Sequence, residues 1–78
     1  MPVKDLIYSI AVELVDRPEE VKVNEVEGEN NTVIELRVAR DDIGKVIGKE
    51  GRTAQAMRAI LAALTTRAGR RVHLDIVD

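Results

Sequence analysis

Apolar residues recur at Val3, Leu6, Ile7, Ile10 and Leu14, which is the i, i+3, i+4, i+7, i+11 spacing of one helical stripe. Pro2 suits the start of that helix, because its missing N–H would be unpaired there anyway. Arg17-Pro18 bounds it, since the residue before proline is pushed out of the α region. Tyr8 lies beside the stripe, where its ring half-buries and its hydroxyl stays wet. From Val21 the period changes. Val21 and Val23 alternate with polar neighbours, and Val26 falls out of phase, which predicts a bulge or strand end there. Gly28-Glu29-Asn30-Asn31 is a turn signal. Thr32 to Ala39 then alternates cleanly, with Ile34, Leu36 and Val38 on one face and Val33, Glu35 and Arg37 on the other. A short loop between two strands requires an antiparallel hairpin.

The helical period returns in two pieces. Asp41 is placed to N-cap a short helix carrying Ile43, Val46 and Ile47. Gly48-Lys49-Glu50-Gly51 is a turn. Arg52 to Ala68 is a long helix whose core stripe is Met57, Ile60, Leu61, Leu64 and Ala68. Gly69 supplies the C′ stop, and Arg67 suits the negative end of the helix dipole. Val72, Leu74 and Ile76 alternate with His73, Asp75 and Val77 in a last strand. Two helices separate it from the middle strand, which permits a parallel crossover. The expected architecture is α+β, in the order α-β-β-α-α-β: one domain over residues 1–78, a three-stranded mixed sheet and three helices on one face.

Composition narrows what such a domain does. The 78 residues hold no cysteine, so disulfide and thiol chemistry are absent, in keeping with a reducing cytosol. No run of about 18 apolar residues spans a membrane, and no secretory signal is visible. One Tyr, with no Phe or Trp, cannot build an aromatic base-stacking platform. The net charge of −2 hides an asymmetry. Between Arg40 and Arg71 eight cations (Arg40, Lys45, Lys49, Arg52, Arg58, Arg67, Arg70, Arg71) face three acids (Asp41, Asp42, Glu50), while the rest of the chain is strongly acidic. One region therefore attracts anions that the remainder repels.

The chemistry concentrates in Ile43 to Arg52. Gly48 and Gly51 relieve the backbone geometry of a sharp helix–helix turn and let a sugar-phosphate chain approach the main chain. The following helix offers unpaired N–H groups and its positive dipole end. Lys49 at the tip, Arg52 in the first turn and Lys45 one turn earlier supply charge. Such contacts position a strand without reading its sequence. Ile43, Val46 and Ile47 are expected to floor an adjoining base groove, with a sheet edge near Arg37 as its far wall. Arg70 and Arg71 either extend this basic surface or are solvated strand-flanking charges.

Other chemistries fit poorly. A nucleotide-hydrolysing phosphate loop needs Gly-x-x-x-x-Gly-Lys-Ser/Thr, and Glu50 stands where the hydroxyl is required. Gly44-x-x-x-Gly48 has no long apolar helix to host a membrane dimer motif. His73, the only histidine, has no companion metal ligands, and His73 with Asp75 has no nucleophile beside it. No enzyme, metal or cofactor is expected. Ala59, Ala62, Ala63 and Thr66 allow two readings: a small-residue ridge for a second helix, or residues present as good helix formers.

Val46-Ile47-Gly48-Lys49-Glu50-Gly51-Arg52 resembles the signature of KH domains, in which a GXXG loop clamps four backbone nucleotides. The element order resembles the type II, bacterial arrangement. Leu14 to Val21 and Asp42 to Arg52 resemble the small bacterial single-KH proteins of the KhpA type, over essentially the full length. That resemblance implies single-stranded RNA binding in the cytoplasm, a role as RNA chaperone or RNA-level regulator, dimerisation, and pairing with a larger KhpB (Jag-type) partner. It implies an RNA-binding set of Ile43, Lys45, Val46, Ile47, Gly48, Lys49, Glu50, Gly51 and Arg52. The alternative is a protein–protein interaction module in which the same fold serves chiefly as an assembly subunit.

Overall fold

Val3–Leu14 forms α1, the helix that the first apolar stripe predicts. A computed structural model of the chain describes residues 3–69 and 71–77, and for residues 65–68 it describes the backbone. Pro2 and Arg70 lie outside the described residues, as do the side chains of Arg67 and Ala68. After α1 come β1 (Lys22–Glu27), β2 (Asn31–Arg37), α2 (Ile43–Ile47), α3 (Arg52–Ala68) and β3 (Arg71–Val77). Short 3-10 turns at Pro18–Glu20, Arg40–Asp42 and Lys49–Gly51 join them. This is the expected α-β-β-α-α-β order.

The strands lie in the order β1-β2-β3. β1 and β2 are an antiparallel hairpin, closed where Gly28 N–H donates to the Asn31 carbonyl at 2.7 Å. β2 and β3 are parallel, and the chain between them is long enough to cross over because it contains α2 and α3. Register explains the core. Ile34 stands between Glu25 and Leu74, and Leu36 between Val23 and Ile76. Side chains alternate across a strand, so Thr32, Ile34 and Leu36 all turn to the helical side and are buried. α1 covers β1 and β2 from above with Ile7 and Ala11, and α3 covers β3 with Ala54, Met57 and Leu61. Val46 of α2 plugs the space between those two helices. Each fully buried aliphatic side chain contributes about 1.5–3 kcal/mol of transfer free energy.

Three expectations need correction. Val26 pairs with Val33 in an unbroken register, so there is no bulge. Its valine is exposed because, like its partner Val33, it lies on the sheet face opposite the helices. Asp41 is not the cap of α2: a 3-10 turn intervenes, Asp42 takes the N-cap position, and its side chain makes no capping bond to the helix. Finally, Ile60 and Leu64 are each 41% exposed. α3 packs on an edge strand, and one strand is too narrow to cover a wide apolar stripe. Among the described residues no helix is long and apolar enough to cross a membrane.

Candidate nucleic-acid interface

The turn between α2 and α3 is built from two glycines in unlike conditions. Gly48 has φ 81 and ψ 171, open chiefly to glycine, and closes α2 by donating its N–H to the Gly44 carbonyl at 2.9 Å. A Cβ there would run into the Thr53 side chain and lie 2.8 Å from the Thr53 nitrogen. Gly51 also has positive φ, at 74, yet a Cβ on it would meet nothing within 4 Å. The first glycine lets the chain fold against itself; the second leaves open space on the outer side of the loop. Glu50 between them takes the left-handed conformation, φ 57 and ψ 25, which is costly for a non-glycine residue. Gly51 N–H is spent on the Gly48 carbonyl and Arg52 N–H on that of Lys49. The orphan donors expected at the start of α3 are thus partly used by the 3-10 turn that precedes it.

Asp42 anchors the near side. It is buried, and its carboxylate accepts the backbone N–H of Asp16 at 3.2 Å and of Arg17 at 3.1 Å. The residue entering α2 therefore caps the chain leaving α1, 25 and 26 residues away. Burial pushes the Asp42 carboxyl up, but the two N–H donors and the nearby Lys45 ammonium outweigh it and hold it below the usual aspartate value. Lys45 reaches Asp16 at 3.1 Å and Asp42 at 3.6 Å. The Asp16 hydrogen bond and charge, with a smaller contribution from Asp42, raise its ammonium above the usual lysine value against the pull of desolvation. Lys45 thus lies in an ion-pair triangle beside the loop, where sequence reasoning expected a cation aimed at phosphate.

A groove of ≈ 280 Å³ runs from the loop along α3 to the edge strand. Its lining is Ile47, Gly51, Ala54, Gln55, Arg58, Asp75 and Ile76. Of the expected apolar floor, only Ile47 reaches it, 38% exposed. Val46 has no accessible surface and supports the groove from beneath, and Ile43 is packed against the core. The far wall is β3. Arg37 lines two other clefts, beside Lys22 on the opposite side of the sheet. The α3 contribution was legible: Ala54 and Arg58 stand at i, i+4 with Gln55 beside them, one helical face just past Gly51. The edge strand was not, because strand order is a tertiary property.

The loop carries its charge in the open. Lys49 is exposed, with no ion-pair partner among the described residues. Arg52 is 3.7 Å from the Glu50 carboxylate, with both side chains mostly in solvent. A pair so exposed is weak, and an incoming phosphate dianion or diester competes with it readily. Arg71 is exposed at the far end of β3. No group of His, Asp and Glu side chains capable of holding a metal occurs among the described residues.

The chain resembles known proteins in sequence and in fold. The family model described as "KhpA/KhpB, KH domain" matches residues 4–76. The chain is 49% identical to RNA-binding protein KhpA of Borreliella burgdorferi, covering 95% of this chain and 90% of the relative. It is 51% identical to RNA-binding protein KhpA of Aquifex aeolicus, covering 96% and 95%, and 51% identical to that of Halalkalibacterium halodurans, covering 96% and 99%. Among solved structures it resembles Era Y63A of Aquifex aeolicus bound to GDP and AlF4−, with a TM-score of 0.61 and 23% identity. That match covers 97% of this chain and 31% of the larger protein, and it speaks to the fold alone.

Proposed function

We propose that this chain, which belongs to the KhpA/KhpB KH-domain family, is a non-catalytic single-stranded RNA-binding protein. It clamps the RNA backbone on the Gly48–Gly51 loop and lays bases into the groove between α3 and β3. The observation that carries this reading is the loop itself: a positive-φ glycine with empty space where a side chain would be, at the mouth of a groove, between two exposed cations. In this reading the N–H groups of the loop tip and the charges of Lys49 and Arg52 hold phosphate, and Ile47 with Ala54 gives bases an aliphatic seat. Relatives at about half identity carry the name RNA-binding protein, in keeping with it. Affinity per site is modest, because base–aromatic stacking, worth ~1–3 kcal/mol per base, is missing.

The protein works in the cytoplasm, in RNA-level regulation or as an RNA chaperone, as a homodimer or with a KhpB-type partner. A second copy would dock on the outer face of α3, where Ala59, Ile60, Ala63 and Leu64 stand exposed at helical spacing. Joining two weak sites raises avidity without new RNA contacts.

The test replaces Lys49 and Glu50 together by Asp, keeping both glycines. Binding to a panel of single-stranded RNAs should fall steeply, with a shallower salt dependence as phosphate contacts disappear. Unchanged binding would place the site elsewhere. The second reading, an assembly module, is favoured by the same exposed face of α3. It prevails if the unsubstituted protein binds no RNA at low salt yet forms a stable complex with a partner chain.

A further inference from the structure

The groove borders the sheet face that carries no helix. Arg58 bridges the groove at Leu74, its Nη2 donating to the backbone carbonyl at 3.3 Å, and Ile76 lies two residues further on, at the loop end. Val77 is the next residue of β3. Side chains alternate across a strand, so Ile76 faces the helices and Val77 the open face. Val77 is in register with Arg37 on β2, and Arg37 with Lys22 on β1. One row of the sheet, about 10 Å across at two strand spacings, therefore leads from the mouth of the groove to two cations.

Lys22 and Arg37 lie outside the basic stretch that begins at Arg40 in the sequence. Folding gathers all three. They come from the start of β1, the end of β2 and the turn before α2, and together they line a cleft of ≈ 410 Å³ in which each is exposed. A smaller cleft of ≈ 200 Å³ continues from Lys22 and Arg37 to Val77. Glu19 and Glu20 line the larger cleft too, but Glu20 is already paired with Arg17 at 3.5 Å, so cations stay in excess. Lys22 and Arg37 stand directly opposite on antiparallel strands, where like charges repel. An anion between them reverses the sign. The guanidinium offers a planar fork to phosphate and the ammonium a mobile point charge. The next row of the same face is its opposite. Glu35 and Asp75 are in register there, with Asn24 donating to Glu35 at 3.3 Å. Two adjacent carboxylates repel a phosphate chain, so a strand crossing this face is confined to the Val77–Arg37–Lys22 row.

We infer that Lys22, Arg37 and Arg40 form a second phosphate site, and that an RNA strand leaving the groove at Ile76 passes over the end of β3 to reach it. This rests on the RNA-binding reading above and extends it. The footprint then exceeds the four nucleotides that a GXXG loop clamps. The added contacts position the strand and read no sequence, so affinity rises with RNA length and gains no base preference.

The experiment titrates the full chain with a uridine tetramer and a uridine decamer while following backbone amide shifts. It also measures decamer affinity by fluorescence anisotropy over a salt series. Lys22→Gln and Arg37→Gln are compared with Lys4→Gln, which removes the same charge from the exposed start of α1. Thermal melting confirms that each variant is folded. Both oligonucleotides should shift amides of the loop and groove, and the decamer alone should also shift those of Lys22, Arg37 and Val77. Lys22→Gln and Arg37→Gln should each lower the slope of log affinity against log salt by about 0.7, the share of one phosphate on a single strand. Lys4→Gln should leave the slope unchanged. A slope unaltered by Lys22→Gln and Arg37→Gln overturns the inference. So does an equal decrease in all three variants, which would mark a general field effect. Decamer shifts confined to the loop and groove defeat the inference alone, whereas no binding of either oligonucleotide at low salt defeats the RNA reading and the inference with it.

Discussion

Gly48 and Thr53 approach so closely that a Cβ on Gly48 would overlap the Thr53 side chain and stand 2.8 Å from its nitrogen. Gly51, three residues on, has nothing within 4 Å of the same imaginary atom. The two glycines of one motif should therefore fail differently. Gly48→Ala combines a disallowed φ with overpacking and should cost roughly 2–4 kcal/mol of folding stability. Gly51→Ala should cost about 1 kcal/mol, for the left-handed backbone alone. Its larger effect should be on RNA, because the new methyl occupies the open side of the loop. Urea denaturation and RNA titration on the same two variants separate the effects; equal destabilisation would contradict the packing described.

Val46 and Ile47 offer a second contrast. Val46 is fully buried between α1 and α3, and Val46→Ala should lower stability by about 2 kcal/mol through lost transfer energy and the cavity left behind. Ile47, at 38% exposure on the groove, should tolerate Ala with a much smaller loss of stability and a clear loss of RNA affinity. Chemical denaturation and titration again read the two quantities apart.

The Asp42 triangle makes stability depend on pH at both extremes. Asp42 is held below its ordinary 3.8, so its contribution is present above that value and is lost as pH falls through the lowered folded value. Lys45 is held above its ordinary 10.5, so its contribution is present below that value and is lost as pH rises through the raised one. Melting temperature should therefore show a plateau between these limits. Asp42→Asn should lower the plateau by on the order of 5 °C and flatten the acid limb. A variant with an unaltered acid limb would mean that other carboxylates carry it.

Ile60 and Leu64 are the large apolar residues of α3 that the sheet leaves uncovered. Ile60→Glu and Leu64→Glu should each shift sedimentation toward monomer at fixed concentration. Neither should unfold the chain, since a carboxylate at a site 41% exposed remains hydrated. RNA affinity should drop along with the dimer if avidity contributes, and a protein that is monomeric at every concentration before substitution would remove that contribution.

The elements were readable because their causes are local. A five-position stripe from Val3 to Leu14 specifies a helix wherever it lies in the fold, and alternation from Thr32 to Val38 specifies a strand with a known inner face. The loop was readable for the same reason: glycines at 48 and 51 with cations beside them state a local backbone need and a local charge. Reading failed where one turn of helix left the period undetermined. α2 has five residues, too few to say that Val46 turns inward while Ile47 turns out.

By itself, then, the sequence determined the order of elements and the need for a tight glycine turn at Gly48–Gly51, and it permitted the parallel crossover, all consequences of spacing along the chain. Tertiary structure alone decided that Asp42 caps the exit of α1, that Lys45 is tied to Asp16, that β3 is the edge strand walling the groove and that Arg58 bridges to it. The physical reason is common to all four. Each depends on which surfaces meet after the chain has closed on itself, and hydrogen bonds between residues 16 to 26 positions apart leave no periodic trace in the residues between them.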